Sequence, residues 1–285
     1  FGTATRAETW LLLSYAGAFK RKAYDEANIP APVKTYLSTV AHNLPNARIQ
    51  LIKQNLQPVA ELVLYVARVN EIHPLLYRFN LNTYEDLLSI DVPAVLLGDP
   101  QYDAFLDNEP LFLVCTNGTH DRCCARFGLP VYTQMSFSAA LRVWQTTHMG
   151  GHRFAPNVLY LPLGIQYGRL TPADVAVLMS EPPNHSILLD KYRGRTCYTA
   201  LLQAADYFTR LQTRILNPLG LHHLQTERLN DKEFRVTFLS TADGCQHSVD
   251  IALEPGALKT FTSCDATHES SVDQYRLLGY QLHSD

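Results

Sequence analysis

The strand and helix signals of this chain follow one order, and the order occurs twice: strand, helix, strand, strand, strand, helix. In the first round, residues 9–15 (Thr-Trp-Leu-Leu-Leu-Ser-Tyr) read as a buried strand and 33–44 as a helix. Residues 48–53, 61–69 and 76–81 read as three further strands and 84–90 as a short helix. In the second round, 111–114 is a compact apolar strand running into Cys115, a helical stretch lies between Cys124 and Leu141, and 142–147 is a strand ending at His148. Residues 157–163 and 166–170 form a hairpin around Leu163-Gly164. Thr171-Pro172-Ala173-Asp174 then starts a helix, with Thr171 as its cap and Pro172 at its first position.

This is the thioredoxin-like order, so an α/β fold built by structural duplication is expected. Residues 1–105 form its first copy and 106–190 its second. After the break at Pro182-Pro183-Asn184-His185, residues 191–285 form a small C-terminal α/β region. That region opens on a long helical pattern over 198–216 and continues with strands at 234–239, 247–253 and 258–262. The polar end from Asp265 onward is expected to be partly loose. A length of 285 residues with 46% hydrophobic content supports more than one core.

Chemistry concentrates in the second copy. Cys115 and Cys124 lie on one loop after its first strand, and His148 and His152 frame a glycine pair after its second. The corresponding places in the first copy, Ser14-Tyr15-Ala16-Gly17 and Gln54-Asn55-Leu56, hold no Cys or His. Two thiolates and two imidazoles suit zinc or an iron–sulfur cluster and are a poor match for magnesium or calcium. Gly150 and Gly151 disfavour a helix between the histidines and favour a loop that approaches a bulky group closely. The eight residues between Cys115 and Cys124 make a wider loop than the usual zinc knuckle. On these residues alone the spacing leans towards a [2Fe-2S] cluster, while a structural zinc ion and a metal-free loop stay open.

Bulk properties narrow the partners. A formal net charge of -3 leaves no basic footprint for nucleic acid. No apolar run reaches the roughly 20 residues of a membrane span, and the first residues lack a signal peptide's order, so a cytoplasmic protein is expected. The six cysteines then argue for metal or thiol chemistry before disulfides. Neither a dinucleotide fingerprint nor a phosphate-binding loop occurs, so electrons would arrive from a separate redox partner.

Three segments resemble the sucrase/ferredoxin-like family: the Cys-Thr-x-Gly-x-x-Asp-x-x-Cys run from Cys115, the His-x-Gly-Gly-His-x-Phe-Ala-x-Asn run from His148, and Tyr167-Gly168-x-x-Thr171-Pro172. Weaker similarity extends to Gly2-Thr3-Ala4, to Trp10-Leu11-Leu12-Leu13 and to Tyr192-Arg193-Gly194-Arg195. The resemblance implies a thioredoxin-like [2Fe-2S] ferredoxin domain, which falls over 106–190; the repeated order makes 1–105 a cluster-free thioredoxin-like domain before it. It implies Cys115, Cys124, His148 and His152 as the iron ligands and a one-electron carrier or redox module as the function. Cys123 stands where many members carry another residue, which makes it a substitute ligand or, with Cys124, a thiol redox pair. The family's label also invites a sugar-hydrolase reading, but nothing singles out two facing carboxylates among 27 acidic residues.

Histidine ligation would set the chemistry apart from that of an all-cysteine cluster. Neutral imidazoles remove negative charge and raise the potential, to about -150 to +300 mV against about -400 mV for plant-type ferredoxins. The outer ring nitrogen also couples the electron to a proton. The remaining cysteines, Cys197, Cys245 and Cys264, read as small buried side chains. His120 and His185 read as solvated loop residues, and Lys191, Arg193 and Arg195 as a surface basic patch.

Overall fold

Strand β1 (Thr9–Ser14) is buried along its whole length. In the computed structural model, which describes residues 1–54, 61–138 and 142–283, it forms the middle of the first half of the sheet. Its side chains alternate between two cores, as the period of two requires. Leu11 and Leu13 pack with Val33, Leu37 and Val40 of helix α1 (Ala31–Asn43). Trp10 and Leu12 face a second core shared with the other half of the molecule.

The first half continues with β2 (Ala47–Lys53), β3 (Val63–Arg68), β4 (Leu75–Asn80), a 3-10 turn over Tyr84–Ser89 and helix α2 (Val92–Leu97). The second half runs β5 (Leu111–Cys115), α3 (Arg122–Ser136), β6 (Val143–Thr146), β7 (Asn157–Leu161), β8 (Ile165–Gly168) and α4 (Pro172–Ser180). The expected starts of α4 at Thr171 and of the strands at 9 and 111 hold. The Leu141 end of the expected α3 stretch lies outside the described residues, as do Asn55 and Leu56.

Both halves contribute to one curled nine-stranded sheet, ordered β4-β3-β1-β2-β6-β5-β7-β8-β9, with β9 at Tyr192–Arg195. In each half the first two strands are parallel, while the third and fourth run antiparallel on the outer side. The halves join where β2 and β6 pair antiparallel, at Ile52 with Thr146 and Lys53 with Gln145. Trp10, Leu12 and Tyr65 of the first half therefore share a core with Leu113, Cys115, Cys124, Trp144 and Leu159 of the second.

Helix α5 (Ala200–Thr213) packs between β9 and a second, antiparallel sheet. This sheet holds β10 (Leu221–Arg228), β11 (Glu233–Ser240), β12 (Gln246–Thr260) and β13 (Ser270–His283), in that order. The expectation of a partly loose stretch from Asp265 is corrected over Ser270–His283. These residues form a long strand that pairs with β12 from Gln246–His283 out to Thr260–Ser270, so backbone pairing orders a segment whose side chains are mostly not buried.

The surface basic patch expected at 191–195 is also corrected. Arg193 and Arg195 are buried: Arg195 donates to the carbonyls of Leu163, Asn70 and Glu71, while Lys191 pairs with Asp174 at 3.3 Å. No described helix is long and apolar enough to cross a membrane.

Candidate metal centre

The apolar run Leu-Phe-Leu-Val drives β5 into the core and delivers Cys115 at its C-terminal end with no solvent exposure. The chain then turns through Thr116 and Asn117 into α3. Asp121 caps that helix, its carboxylate accepting the Cys123 amide at 2.9 Å, which sets Cys124 in the first turn facing Cys115. Thr116 fixes the turn by donating to Gln145 Oε1 on β6 at 2.8 Å.

Residues 19–21 of the first half cover this loop from the other side. The Phe19 carbonyl accepts from the Thr119 hydroxyl at 2.7 Å and the Lys20 carbonyl from the Asn117 amide at 3.1 Å, and His120 Nδ1 lies 3.1 Å from the Arg21 carbonyl.

His148 follows β6 on a loop held by Gly150 and Gly151, both at positive φ, as the glycine pair predicts. Neither position has room for a side chain. A Cβ on Gly150 would lie 2.5 Å from the Thr5 hydroxyl, and one on Gly151 2.5 Å from the Arg193 guanidinium. Arg193 donates to Thr3 and to Asn157, and Asn157 in turn donates to the Gly151 carbonyl at 2.9 Å. The weakly matching segments at 2–4 and 192–195 are thus the scaffold of the histidine loop.

Cys115, Cys124 and His148 bring their ligating atoms within 4.8 Å of one another, with Cys124 Sγ 3.6 Å from His148 Nδ1. His152 is not in that group. It stands beside His148, ring centroids 4.9 Å apart, and belongs to a second group with His148 and His120. His120, read from the sequence as a loop residue, stacks on His148 at 4.0 Å. Its position five residues after Cys115 carried no signal, because only the return of the loop over β6 brings it to the ring.

The Cys124 thiol donates toward Cys115 and holds it well below the ordinary thiol range. Burial opposes this and His148 adds to it, while Cys124 is correspondingly raised. A cation bound between them would displace the thiol protons. Burial lowers His152, with His148 and His120 adding to the effect against the pull of Asp121, 3.9 Å away. His152 Nδ1 is buried without a partner, as a ligand nitrogen awaiting a cation would be. The donor set fits a soft or borderline metal.

Cys123 is corrected as a substitute ligand and as half of a vicinal thiol pair. Its sulfur is bonded to Cys264, 141 residues away, so it turns from the centre toward the loop between β12 and β13. The expectation that metal or thiol chemistry takes precedence over disulfides fails for these two cysteines, because the fold carries a distant loop onto α3. The same loop seals the site: the Cys264 amide donates to Asp121 Oδ2 at 3.0 Å, and the Thr262 backbone is hydrogen-bonded to the His152 ring.

A family model described as sucrase/ferredoxin-like matches residues 1–194. The match ends one residue short of the end of β9, so α5, the second sheet and Cys264 lie beyond it. Among curated proteins the chain is similar to "Altered inheritance of mitochondria protein 32" of Meyerozyma guilliermondii, 34% identical over 97 residues, 30% of this chain and 34% of that protein. The chain thus matches about a third of the length of that relative.

Proposed function

Because the chain belongs to the sucrase/ferredoxin-like family, we propose that it is a one-electron carrier or redox module holding a [2Fe-2S] cluster on Cys115, Cys124, His148 and His152. The observation that carries this reading is the convergence of two buried thiols and an imidazole within 4.8 Å, with a second imidazole, its Nδ1 unpartnered, stacked alongside. A set that spreads over two overlapping groups suits a binuclear centre better than a single ion.

A [2Fe-2S] cluster supplies reversible one-electron chemistry at a potential that imidazole ligands raise. The chain's own residues do the rest. Burial of Cys115 and Cys124 excludes water, Asp121 and Gly151 orient the two ligand loops, and the Thr262 backbone holds the His152 ring. Electrons come from a separate redox protein.

On this reading residues 106–190 are a thioredoxin-like ferredoxin domain, 1–105 its cluster-free copy and 191–285 an appendage. The first copy covers the cysteine loop through Phe19, Lys20 and Arg21. A cytoplasmic setting is part of the proposal, and the Cys123–Cys264 disulfide is the feature that weighs against it.

The compact Cys115, Cys124 and His148 group also suits one structural zinc ion. Visible absorption, electron paramagnetic resonance after reduction, and metal analysis of anaerobically purified protein separate the two readings. Iron and acid-labile sulfide in equal amounts with visible bands support the cluster, and a colourless, zinc-loaded protein overturns it.

A further inference from the structure

Three guanidinium groups gather around one aromatic ring beside the histidine loop. Arg193, Arg153 and Arg169 lie 4.5, 4.6 and 5.5 Å from the centroid of Phe154. Arg193 is engaged with Thr3 and Asn157, but Arg153 Nη1 is buried without a hydrogen-bond partner. Among the described residues none of the three has a carboxylate within ion-pair distance. Three like charges on one ring with an orphaned donor call for a counter-charge.

Arg153, Phe154 and Arg169 form one wall of a cavity of about 320 Å³. The opposite wall is the β12–β13 hairpin, through Leu258, Val272 and Tyr275. The carboxylate on that side, Asp273, accepts the Gly256 amide at 2.9 Å. The volume is at the lower end of small-molecule sites, and a few convergent polar groups in a partly apolar wall are their usual form.

We infer that this cavity binds a small organic oxyanion, a carboxylate or phosphate ester on an apolar body. Its charged end rests on Arg153 and Arg169, and its body lies between Phe154 and the Leu258–Val272 face of the hairpin. Guanidinium forks match such anions in two-point hydrogen bonds, and Phe154 keeps the forks in place from below. Arg153 follows His152 in the same 3-10 turn, so the occupant sits next to the metal centre. This site goes beyond the electron-carrier reading and does not require that reading to hold. It lies at the border of the family-matched region, with the arginines inside it and the hairpin outside.

Isothermal titration of the purified chain with inorganic phosphate, phenyl phosphate and benzoate tests the inference. Saturable one-to-one binding is expected, with phenyl phosphate tighter than inorganic phosphate because only the former uses the apolar wall. Arg153→Gln should weaken phenyl phosphate about tenfold, the loss of a hydrogen bond to a charged group. The more exposed Arg169→Gln should weaken it several-fold and keeps the test alive if Arg153→Gln misfolds. Arg228→Gln, whose side chain pairs with Asp231 on the second sheet, should change nothing. Absence of saturable binding by all three anions up to about 10 mM, or equal affinity in wild type and Arg169→Gln, overturns it.

Discussion

Gly128 lies against the backbone of Cys115 so closely that a Cβ on the glycine would sit 2.2 Å from the Cys115 carbonyl oxygen. The two residues bind α3 to the end of β5, and Cys124 is one turn earlier on the same helix. Gly128→Ala must push α3 off the strand, because the obstructing atom is backbone and cannot rotate away. A loss of about 1–3 kcal/mol is expected, together with reduced metal content. Thermal unfolding and metal analysis read both, and a variant with wild-type values for each would refute the close-contact argument.

Gly98 and Gly151 separate the cost of backbone conformation from that of crowding. Both have positive φ, 78° and 72°, but nothing lies within 4 Å of a Cβ on Gly98, whereas Gly151 meets Arg193. Gly98→Ala should therefore cost only the left-handed penalty, about 1 kcal/mol. Gly151→Ala should cost more and disturb the histidine loop. Equal destabilisation of the two, with metal content intact in Gly151→Ala, would show that the Arg193 contact yields without consequence.

The cysteines should fall into two classes. On the cluster reading, Cys115→Ser and Cys124→Ser are expected to abolish metal binding, since each removes a buried thiol of the proposed ligand set. Cys123→Ser and Cys264→Ser should keep the metal and lose stability instead. The bridge closes a loop of 141 residues in sequence separation, and its removal is expected to cost about 2–5 kcal/mol. Loss of iron from Cys123→Ser with Cys264 intact would place Cys123 in the ligand set.

The buried pair Asp206–Arg210 on α5 should be intolerant of single substitutions. Both side chains are fully buried, Tyr192 donates to Asp206 Oδ2 at 2.7 Å, and Arg210 donates to the carbonyls of Ile215, Asn217 and Pro218. Asp206→Ala leaves a buried guanidinium without its counter-charge, at a cost of about 3–5 kcal/mol. Chemical denaturation gives the value, and a change within about 0.5 kcal/mol would mean that the three carbonyls alone satisfy Arg210.

Local pattern made the first two hundred residues legible: the Thr-Trp-Leu-Leu-Leu-Ser run of β1 and the Thr171-Pro172-Ala173-Asp174 start of α4 state their conformations outright. Two loops following two parallel strands also placed Cys115, Cys124 and His148 together, while His152, expected with them, stands beside His148 in a second group. Long-range pairing was silent. Nothing near Cys123 or Cys264 names the other, and the β2–β6 junction that joins the two halves of the sheet rests on two residue pairs. The β13 strand escaped notice because its side chains are mostly exposed or half-exposed, so it lacks the apolar alternation by which a strand is recognised. His120 was missed for a related reason, as its partner ring arrives from 28 residues downstream.

Asp174, third residue of α4, should make a pH-dependent contribution to stability. Partial burial pushes its carboxyl up, but hydrogen bonds from the Thr171 amide and hydroxyl, each 2.7 Å, and from Lys191 outweigh this and leave it below the ordinary carboxylate value. A folded-state pKa lower than the unfolded one, about 3.9, means that the charged form favours the folded chain. The contribution is then complete above the unfolded value and is lost as pH falls through the folded one. Asp174→Asn removes it, along with part of the interaction with the α4 N-terminus. The stability difference between wild type and Asp174→Asn should be about 0.5–1 kcal/mol at neutral pH and shrink as pH falls below about 4. Urea unfolding of both proteins from about pH 6 down to about pH 3 reads the difference directly. A difference that stays constant over that range would show that the capping geometry, and not the charge, is what Asp174 supplies.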